Sequence, residues 1–365
     1  MGNRTTSLVN HGNILPMLKK KKHIAQQETF MISSTSSSPQ TGTSRQQASG
    51  TRCMAQLTDA HCWSLTESAI PDPMPGTVRV RLHGCGLCAS NLPPFDGRPW
   101  FDYPFAAGVP GHESWGTIDS IGEDVHTVVP GDRVCCLDQS AFSTHVVCDQ
   151  NDVVRLPAEF IDREVPGEPL ACAMNIFERA RIEAGQYVAV VGCGFIGCLL
   201  IQLIAAAGAI PVGVSRRASS LAMAERSGAQ HLLFLEDSDA LPQVLDGQDC
   251  ERVIEVTGTQ AGLDHASKLV GTGGMLIIAG FHQDGLRQVD MQSWNWRGID
   301  VINAHERDPA RYRCGLHAAI AALRDGRLFP EPLYTHRFPL NRIQEAFETA
   351  LAAPEGFTKA LIVMT

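Results

Sequence analysis

Between residues 52 and 160 the chain alternates apolar and polar side chains over short runs, which is typical of half-buried β-strands. The clearest run is Thr77–His83, and similar runs cover Ser114–Ile121 and Arg133–Leu137. Proline and glycine interrupt the alternation at Pro75-Gly76 and Pro130-Gly131, where they favour turns. The pattern predicts a compact, mostly antiparallel β-rich unit.

Residues 181–325 show a different pattern, in which short apolar runs alternate with segments of helical periodicity. The predicted strands are Tyr187–Val191, Pro211–Ser215, Arg252–Val256, Met275–Ala279 and Ile299–Asn303, and the predicted helices are Gly197–Ala207 and Ser220–Ser227. Strands that alternate with crossover helices form a parallel, doubly wound sheet. Beyond them, a helix over Arg342–Ala352 and a strand over Lys359–Met364 are predicted to pack back on the β-rich unit.

One stretch without charged residues, Tyr187–Val214, is long enough to suggest a membrane-spanning helix. It is interrupted by glycine and proline, at Gly192, Gly194, Gly197, Gly208, Pro211 and Gly213. We therefore interpret the stretch as a strand, a glycine turn, a buried helix and a second strand. No membrane partner is expected.

Residues 1–51 form a tail of different composition, rich in Ser, Thr and Gln and without apolar periodicity, which predicts disorder. Its first 50 residues hold six basic side chains against Glu28 alone, and they lack the apolar run of a secretory signal. An upstream start codon, with translation from near Met54, is one alternative. An organellar transit peptide is another, which the lysine cluster allows and the scarcity of arginine disfavours.

Charge and cysteine content indicate which partners and which cell compartment to expect. The whole chain has 30 basic and 39 acidic residues, so its net charge of −9 leaves −14 on the 315 residues after the first 50. An acidic body of this kind argues against a nucleic-acid partner. The twelve cysteines show no pairing framework, and several lie inside apolar runs, which indicates a reducing, cytoplasmic location.

The motif Gly192-Cys193-Gly194-Phe195-Ile196-Gly197 follows a predicted strand and opens a predicted helix. In that context the first glycine makes a tight turn, the second lets the backbone approach a pyrophosphate, and the third lets the helix pack on the strand. The motif therefore predicts a dinucleotide cofactor. The alternatives are a plain glycine turn in a sheet core and the nucleotide site of a methyltransferase.

The residues at the end of the next strand select the cofactor. An acidic residue there would hold the ribose hydroxyls of NAD, but this chain has Ser215, Arg216 and Arg217. A hydroxyl and guanidinium groups bind a 2′-phosphate by charge-assisted hydrogen bonds. We therefore expect NADP(H) rather than NAD(H), unless the two arginines are merely solvated.

Three further segments carry potential metal ligands: a thiol at Cys88, an imidazole at His112 and a carboxylate at Glu168. These are the groups that bind zinc. Ligands from separate segments suit a catalytic site with an open position better than a compact structural site. Taken one at a time, a cysteine or histidine is more often structural than a ligand.

With these residues in view, the sequence resembles the zinc-dependent medium-chain alcohol dehydrogenases, in particular the branch of sorbitol and threonine dehydrogenases. The resemblance covers about residues 52–365. The segments that carry it are CGLCASN (85–91), GVPGHESWG (108–116), VVPGDRV (128–134), EPLACA (168–173), VAVVGCGFIG (188–197), VIEVTG (253–258) and GGMLIIAG (273–280). The resemblance implies a Rossmann domain together with a β-rich, GroES-like catalytic domain.

The resemblance also implies roles for individual residues. Cys88 and His112 would bind the catalytic zinc, with Glu113 as a direct ligand or a contact of the ligands. Glu168 falls where the family has a third or water-bridged ligand. Ser90 falls where a hydroxyl relays the substrate proton.

Further residues and the assembly follow from the same resemblance. Lys359 lies where the family often has a basic residue near the cofactor phosphates, although an ordinary surface lysine is the alternative. Cys172 is an alternative thiolate ligand. His305-Glu306-Arg307 falls where polyol dehydrogenases contact their substrate, although a solvated loop is the alternative. A homodimer or homotetramer is implied.

The sequence departs from the family at several positions. Asn91 stands where the family often has Asp, and Pro93 stands where it has a relay histidine, which leaves the proton path beyond the serine open. No four-cysteine lobe fits around Cys135, Cys136 and Cys148, which we interpret as core or edge thiols. We therefore expect one catalytic zinc and no structural zinc.

The sequence thus predicts an α/β protein with a β-rich catalytic domain over 52–180, completed by 326–365, and a Rossmann domain over 181–325. The predicted activity is zinc-dependent hydride transfer between NADP(H) and an alcohol or polyol, or its carbonyl. The alternatives are a zinc-independent quinone or enone reductase of the same superfamily and a non-catalytic dinucleotide-binding or structural protein. The sequence does not identify the alcohol.

Overall fold

The computed structural model of the protein describes residues 50–364, so the predictions for residues 1–49 lie outside the described residues. The first part of the chain is rich in strands. Its elements are β1 (Thr51–Asp59), β2 (Cys62–Ala69), β3 (Thr77–Gly86), α1 (Leu92–Phe95), β4 (Glu113–Ile121), β5 (Arg133–Cys136), β6 (His145–Asp149), β7 (Val153–Arg155) and α2 (Gly167–Ala180).

Strands and helices then alternate over residues 187–303. The alternating elements are β8 (Tyr187–Val191), α3 (Phe195–Ala206), β9 (Ile210–Ser215), α4 (Ala218–Arg226), β10 (His231–Phe234), α5 (Leu241–Val244), β11 (Cys250–Glu255), α6 (Gln260–Leu269), β12 (Val270–Ile278), α7 (Met291–Arg297) and β13 (Asp300–Asn303). The chain ends with α8 (Pro309–Arg324), β14 (Tyr334–Pro339), α9 (Ile343–Ala352) and β15 (Lys359–Val363).

A six-stranded parallel sheet has the order β10-β9-β8-β11-β12-β13. This is the doubly wound order, so the predicted Rossmann sheet is confirmed. Its central strand β8 is apolar because helices cover both faces of a parallel sheet, and Val188–Val191 are fully buried. The charge-free stretch thus forms β8, α3 and β9, and no helix among residues 50–364 is long and apolar enough to cross a membrane.

A second sheet of seven strands, in the part of the chain that is described, has the order β14-β15-β3-β4-β5-β7, with β6 paired to β3. All of its pairs are antiparallel except β14 with β15. The C-terminal strand joins the sheet because Leu361 and Ile362 pair with Gly86 and Cys85 of β3. The last 30 residues therefore share a core with the first β-rich segment.

Two apolar clusters stabilise the strand-rich part of the molecule and its contact with the helices. In one, the Phe347 ring of α9 packs on Trp63, Phe95 and Phe142, with ring centroids 4.9, 5.1 and 5.7 Å away. The other packs helices α2, α3 and α8 against the seven-stranded sheet, and includes Trp115, Leu170, Leu199, Leu316 and Leu361. The first turn of α3 therefore lies near the end of the seven-stranded sheet, where the Lys359 Nζ of β15 is 4.8 Å from the centroid of the Phe195 ring.

We expect Phe347→Ala to lower the free energy of unfolding by about 3 to 5 kcal/mol, because the ring is fully buried among three aromatic side chains from distant segments. Leu351→Ala, four residues further along α9, is the matched control, since that side chain is 40% exposed and its loss should change stability by less than about 1 kcal/mol. The measurement is urea unfolding of the full chain, followed by circular dichroism. Similar shifts for the two variants would contradict this account of the core.

Candidate metal and cofactor site

Two neighbouring strands bring three potential metal ligands together. Cys88 follows the end of β3, and His112 and Glu113 stand at the start of β4. The strands pair there, with Gly86 opposite Glu113. One ligand atom of each of the three residues lies within 4.8 Å of the others. The predicted thiol and imidazole thus meet, and Glu113 joins them.

Gly86 is a requirement of this arrangement. A Cβ atom at that position would lie 1.9 Å from Oε2 of Glu113, so any other residue would collide with the carboxylate. The glycine of the CGLC segment therefore lets the Glu113 side chain cross β3.

His112 has a fixed orientation. Its Nδ1 lies 2.8 Å from the carbonyl oxygen of Pro110, which assigns an N–H to Nδ1 and makes Nε2 the nitrogen that would bind a cation in place of a proton. Burial by itself lowers the pKa of His112, but the hydrogen bond and charge of Cys88 and the charges of Glu168 and Glu113 raise it to about 10. The site therefore has a negative potential that favours a bound cation.

Asn91 braces both of these residues, a role that the sequence did not reveal. Its side chain is 1% exposed, and Oδ1 accepts a 2.9 Å hydrogen bond from the Cys88 backbone N–H. Its Nδ2 donates at 3.0 Å to the Pro110 carbonyl, which in turn accepts from His112. The departure from the family at this position thus places a neutral amide where a carboxylate often stands.

Glu113 forms a buried ion pair with Lys359 of β15. The Lys359 Nζ lies 2.7 Å from Oε1 and 2.5 Å from Oε2, and the two side chains are 5% and 0% exposed. Burial by itself lowers the pKa of Lys359, but Glu113 and Cys88 raise it above its ordinary value, so the ammonium form is stable here. Oε2 of Glu113 makes this ion pair without a hydrogen bond of good geometry.

Lys359 also approaches the glycine motif, because its Nζ lies 4.8 Å from the centroid of the Phe195 ring. Its ammonium group donates to Glu113 rather than standing free at the pyrophosphate position. The cofactor-phosphate contact expected of Lys359 therefore stays a prediction.

Glu168 lies in the first turn of α2, outside the close group of three donors. Its Oε1 accepts a hydrogen bond from the Tyr312 hydroxyl of α8, and the Cys172 thiol donates to the same oxygen at 3.4 Å. The charge of Glu168 still contributes to the raised pKa of His112. Tyr312 was not predicted, because nothing in its local sequence reveals a partner 144 residues earlier.

The alternative ligand Cys172 faces Glu168 and Tyr312. Burial raises its pKa well above the ordinary thiol value, and the charge of Glu168 raises it further. Ser90 lies in the turn after Cys88 and is partly exposed. Its hydroxyl makes no hydrogen bond with another of the described residues, so it is available to a ligand in the cleft.

The glycine motif has the shape that the sequence predicts. Gly192 has a φ of +110°, which a residue with a side chain rarely adopts, and a Cβ at Gly197 would lie 1.9 Å from the Gly192 carbonyl oxygen. A Cβ at Gly194 would meet no atom within 4 Å, so the backbone there is open to a ligand. Helix α3 begins at the next residue and directs its N-terminus at that space.

The next strand ends beside this loop, since the Gly192 N–H donates at 2.9 Å to the Val214 carbonyl. Ser215 is the last residue of β9, and Arg216 and Arg217 are exposed beyond it. Arg217 donates to the Ala353 carbonyl at 3.3 Å. No carboxylate occupies these three positions.

A crevice of about 420 Å³ opens at the carboxyl ends of β12 and β13, where doubly wound sheets hold their ligands. It is lined by Arg179, Ile278, Gly280, Phe281, His282, Asn303, His305 and Arg307. Of the His305-Glu306-Arg307 run, the first and third residues face the crevice. Glu306 accepts hydrogen bonds from the backbone N–H groups of Arg307 and Asp308.

The three cysteines considered for a second metal site lie in the core. Cys135 and Cys136 are fully buried, and Cys148 is 8% exposed. Burial raises the pKa of Cys135, while a hydrogen bond to Cys136, followed by burial, raises that of Cys148. All three side chains are packed in apolar surroundings.

Comparison with known proteins agrees with this architecture. A GroES-like alcohol dehydrogenase domain matches residues 74–158, and a zinc-binding dehydrogenase domain matches residues 196–321. Sorbitol dehydrogenase of Ovis aries is 27% identical over 317 residues, which cover 77% of this chain and 88% of that protein.

Two solved structures share the fold. The 2R,3R-butanediol dehydrogenase of Bacillus subtilis has a TM-score of 0.76 and 22% identity, covering 86% of this chain and 100% of that one. Galactitol-1-phosphate dehydrogenase of Escherichia coli has a TM-score of 0.72 and 22% identity, covering 85% of this chain and 99% of that one. The GroES-like match covers strands of the seven-stranded sheet, and the zinc-binding dehydrogenase match covers strands of the parallel sheet. The chain therefore belongs to the zinc-dependent medium-chain alcohol dehydrogenase family.

Proposed function

We propose that this oxidoreductase of alcohols is a zinc-containing, NADP(H)-dependent dehydrogenase of a polyol or related alcohol, or of its carbonyl counterpart. The observation that carries the proposal is the convergence of Cys88, His112 and Glu113 within 4.8 Å, beside a glycine motif of dinucleotide-binding shape. A quinone or enone reductase without a metal has no need of such a donor set.

The metal part of the proposal assigns Cys88, His112 and Glu113 as the protein ligands of one zinc ion. The negative potential at His112 and the thiol, imidazole and carboxylate donors within 4.8 Å of one another fit a divalent cation. Zinc held there would supply Lewis acidity that makes an alcohol hydroxyl easier to deprotonate. No structural zinc is proposed.

The cofactor part assigns the pyrophosphate to the backbone at Gly194 and to the N-terminus of α3. Gly192 and Gly197 allow the turn and the close packing that this requires. Ser215, Arg216 and Arg217 would bind the 2′-phosphate of NADP(H) with a hydroxyl and guanidinium groups. Lys359, next to Phe195, would add positive potential on the metal side of the motif.

Bound NADP⁺ would supply the hydride acceptor for oxidation at the carbinol carbon of the substrate. The hydroxyl proton passes to the Ser90 hydroxyl and from there to solvent. Because Pro93 stands where the family has a relay histidine, the partly exposed Ser90 would deliver the proton directly to water. Arg179, His305 and Arg307, which line the crevice, would hold polar groups of the ligands.

The proposal includes a homo-oligomer, built from a dimer, and a cytoplasmic location as the cysteine usage suggests. Strand β13 is the outer strand of its sheet, and large apolar side chains around it are exposed, at Leu286, Val289, Met291, Trp296 and Val301. A second copy that pairs with this edge would bury them.

Metal content and activity test the ligand set. Full-length protein purified without chelators should hold one zinc per chain by elemental analysis, and Cys88→Ser should lose both the metal and turnover while it still binds NADPH, because only the thiolate ligand is removed. Cys62→Ser, at an exposed thiol of β2, is the matched control and should keep both.

Two results would contradict this assignment. A zinc content near zero, with no activity restored by added zinc, would favour the metal-free reductase. A content near two would mean that Cys135, Cys136 or Cys148 belongs to a second site.

Cofactor choice tests the arginines. We expect Arg216→Ala and Arg217→Ala each to lower kcat/KM for NADPH by about 10- to 100-fold and to leave that for NADH nearly unchanged, because each removes a charged hydrogen-bond donor. Arg226→Ala, at an exposed arginine near the end of α4, is the control. A wild-type preference for NADH, or equal losses with both cofactors, would contradict the NADP(H) assignment.

Light scattering tests the assembly. The wild-type mass should be at least twice that of one chain, and Val301→Lys should lower it towards one chain because a charge then stands on the pairing edge. Leu65→Lys, at an apolar residue of β2 with 45% exposure, is the control. A wild-type monomer, or an unchanged mass for Val301→Lys, would contradict pairing through β13.

A further inference from the structure

Glu168 is held by two donors that come from different directions. The hydroxyl of Tyr312, on α8, and the thiol of Cys172, one helical turn further along α2, both donate to its Oε1. The Cys172 Sγ and the Tyr312 Oη are themselves 2.7 Å apart, so the three side chains form a closed triangle. We call these residues the Glu168 triangle.

The triangle borders the metal ligands without joining them. The donor atoms of Cys88, His112 and Glu113 form a compact group, and no oxygen of Glu168 belongs to it. Glu168 nevertheless acts on that group through its charge, since it helps to raise the pKa of both His112 and Lys359. The Glu168 carboxylate therefore lies near the metal ligands, and its two hydrogen bonds hold it outside their group.

A carboxylate in this position is a potential competitor of the substrate. A catalytic zinc site has three protein ligands and one position left open, and carboxylate oxygens bind zinc readily. If Glu168 were free to turn, it could occupy the open position. Two hydrogen bonds to one oxygen hold the carboxylate in place and withdraw electron density from it.

We propose that Tyr312, supported by Cys172, is a positioning residue that keeps Glu168 out of the ligand set, so that the fourth position stays open for the substrate oxygen. This inference rests on the proposed zinc site of Cys88, His112 and Glu113. It assigns Glu113 as the direct carboxylate ligand and Glu168 as a nearby carboxylate that does not bind the metal. Outer contacts of this kind commonly change metal affinity by 10- to 100-fold.

The test uses full-length protein stripped of metal and loaded with Co²⁺ alone, which reports its ligands by absorption. A thiolate-to-cobalt band in the near ultraviolet reports Cys88, and the visible bands report the number of ligands. Azide, a small anion, serves as the probe of the open position. Wild-type protein should bind one Co²⁺ per chain, show both signals, and change its visible spectrum when azide is added.

Tyr312→Phe removes only the hydroxyl. We expect its Co²⁺ affinity to rise about tenfold, its visible spectrum to change, and its azide response to weaken by at least tenfold, while the thiolate band persists. Tyr312→Phe combined with Glu168→Gln should regain the azide response, because the amide is a poor substitute ligand. Tyr334→Phe is the matched control, since it removes a buried hydroxyl that has no hydrogen-bond partner.

Cys172→Ala gives a second, milder test, because it removes one of the two donors to Oε1. It should shift Co²⁺ affinity and the azide response in the same direction, by about threefold, and it serves alone should Tyr312→Phe fail to fold. Unchanged affinity and azide response in the folded variants, with the thiolate band intact, would overturn the role of Tyr312. Wild-type protein without a Cys88-dependent thiolate band would instead overturn the proposed zinc site, and this inference with it.

Discussion

The ion pair between Lys359 and Glu113 is the interaction on which the rest of the site depends. Both side chains are almost fully buried, so each charge is stabilised mainly by the other. Removing one partner of such a pair costs about 3 to 5 kcal/mol, because the remaining charge is left buried and uncompensated. The pair also sets the local charge balance, since it offsets one of the anionic groups that gather around His112.

The same ion pair joins three distant parts of the chain. Glu113 begins β4, Lys359 begins the C-terminal strand β15, and the ring beneath the ammonium belongs to Phe195 in the glycine motif. The metal side and the cofactor side are thus linked through one ammonium group. The C-terminal return of the chain therefore completes the site as well as the sheet.

The sequence predicted the elements whose signals are local. Strand β8 and helix α3 were found because their side chains are almost all apolar and two glycines, Gly192 and Gly194, lie between them. Cys88 and His112 were found by residue type, and their meeting depends only on the pairing of adjacent strands β3 and β4. The residues that determine these features are close together in the sequence or lie on two adjacent strands, so the local pattern is enough to predict them.

Features that depend on distant packing could not be predicted in this way. Tyr312 contacts Glu168 only because α8 packs on α2, and Lys359 meets a partner 246 residues earlier in the chain. Asn91 looked like a mere departure from a family pattern. Its part in bracing Cys88 and Pro110 is visible only when both hydrogen bonds are in place.

Helix α2 acts as a spacer between the metal ligands and the crevice beside β13. Glu168 in its first turn borders the metal ligands, and Arg179 near its end lines the crevice beside β13. Eleven residues separate them, which is about 16 Å and close to three whole turns, so both lie on one face of the helix. Inserting one residue would lengthen the spacer by about 1.5 Å and swing one end through about 100°. Loops around the cleft can therefore change in length far more freely than this helix can.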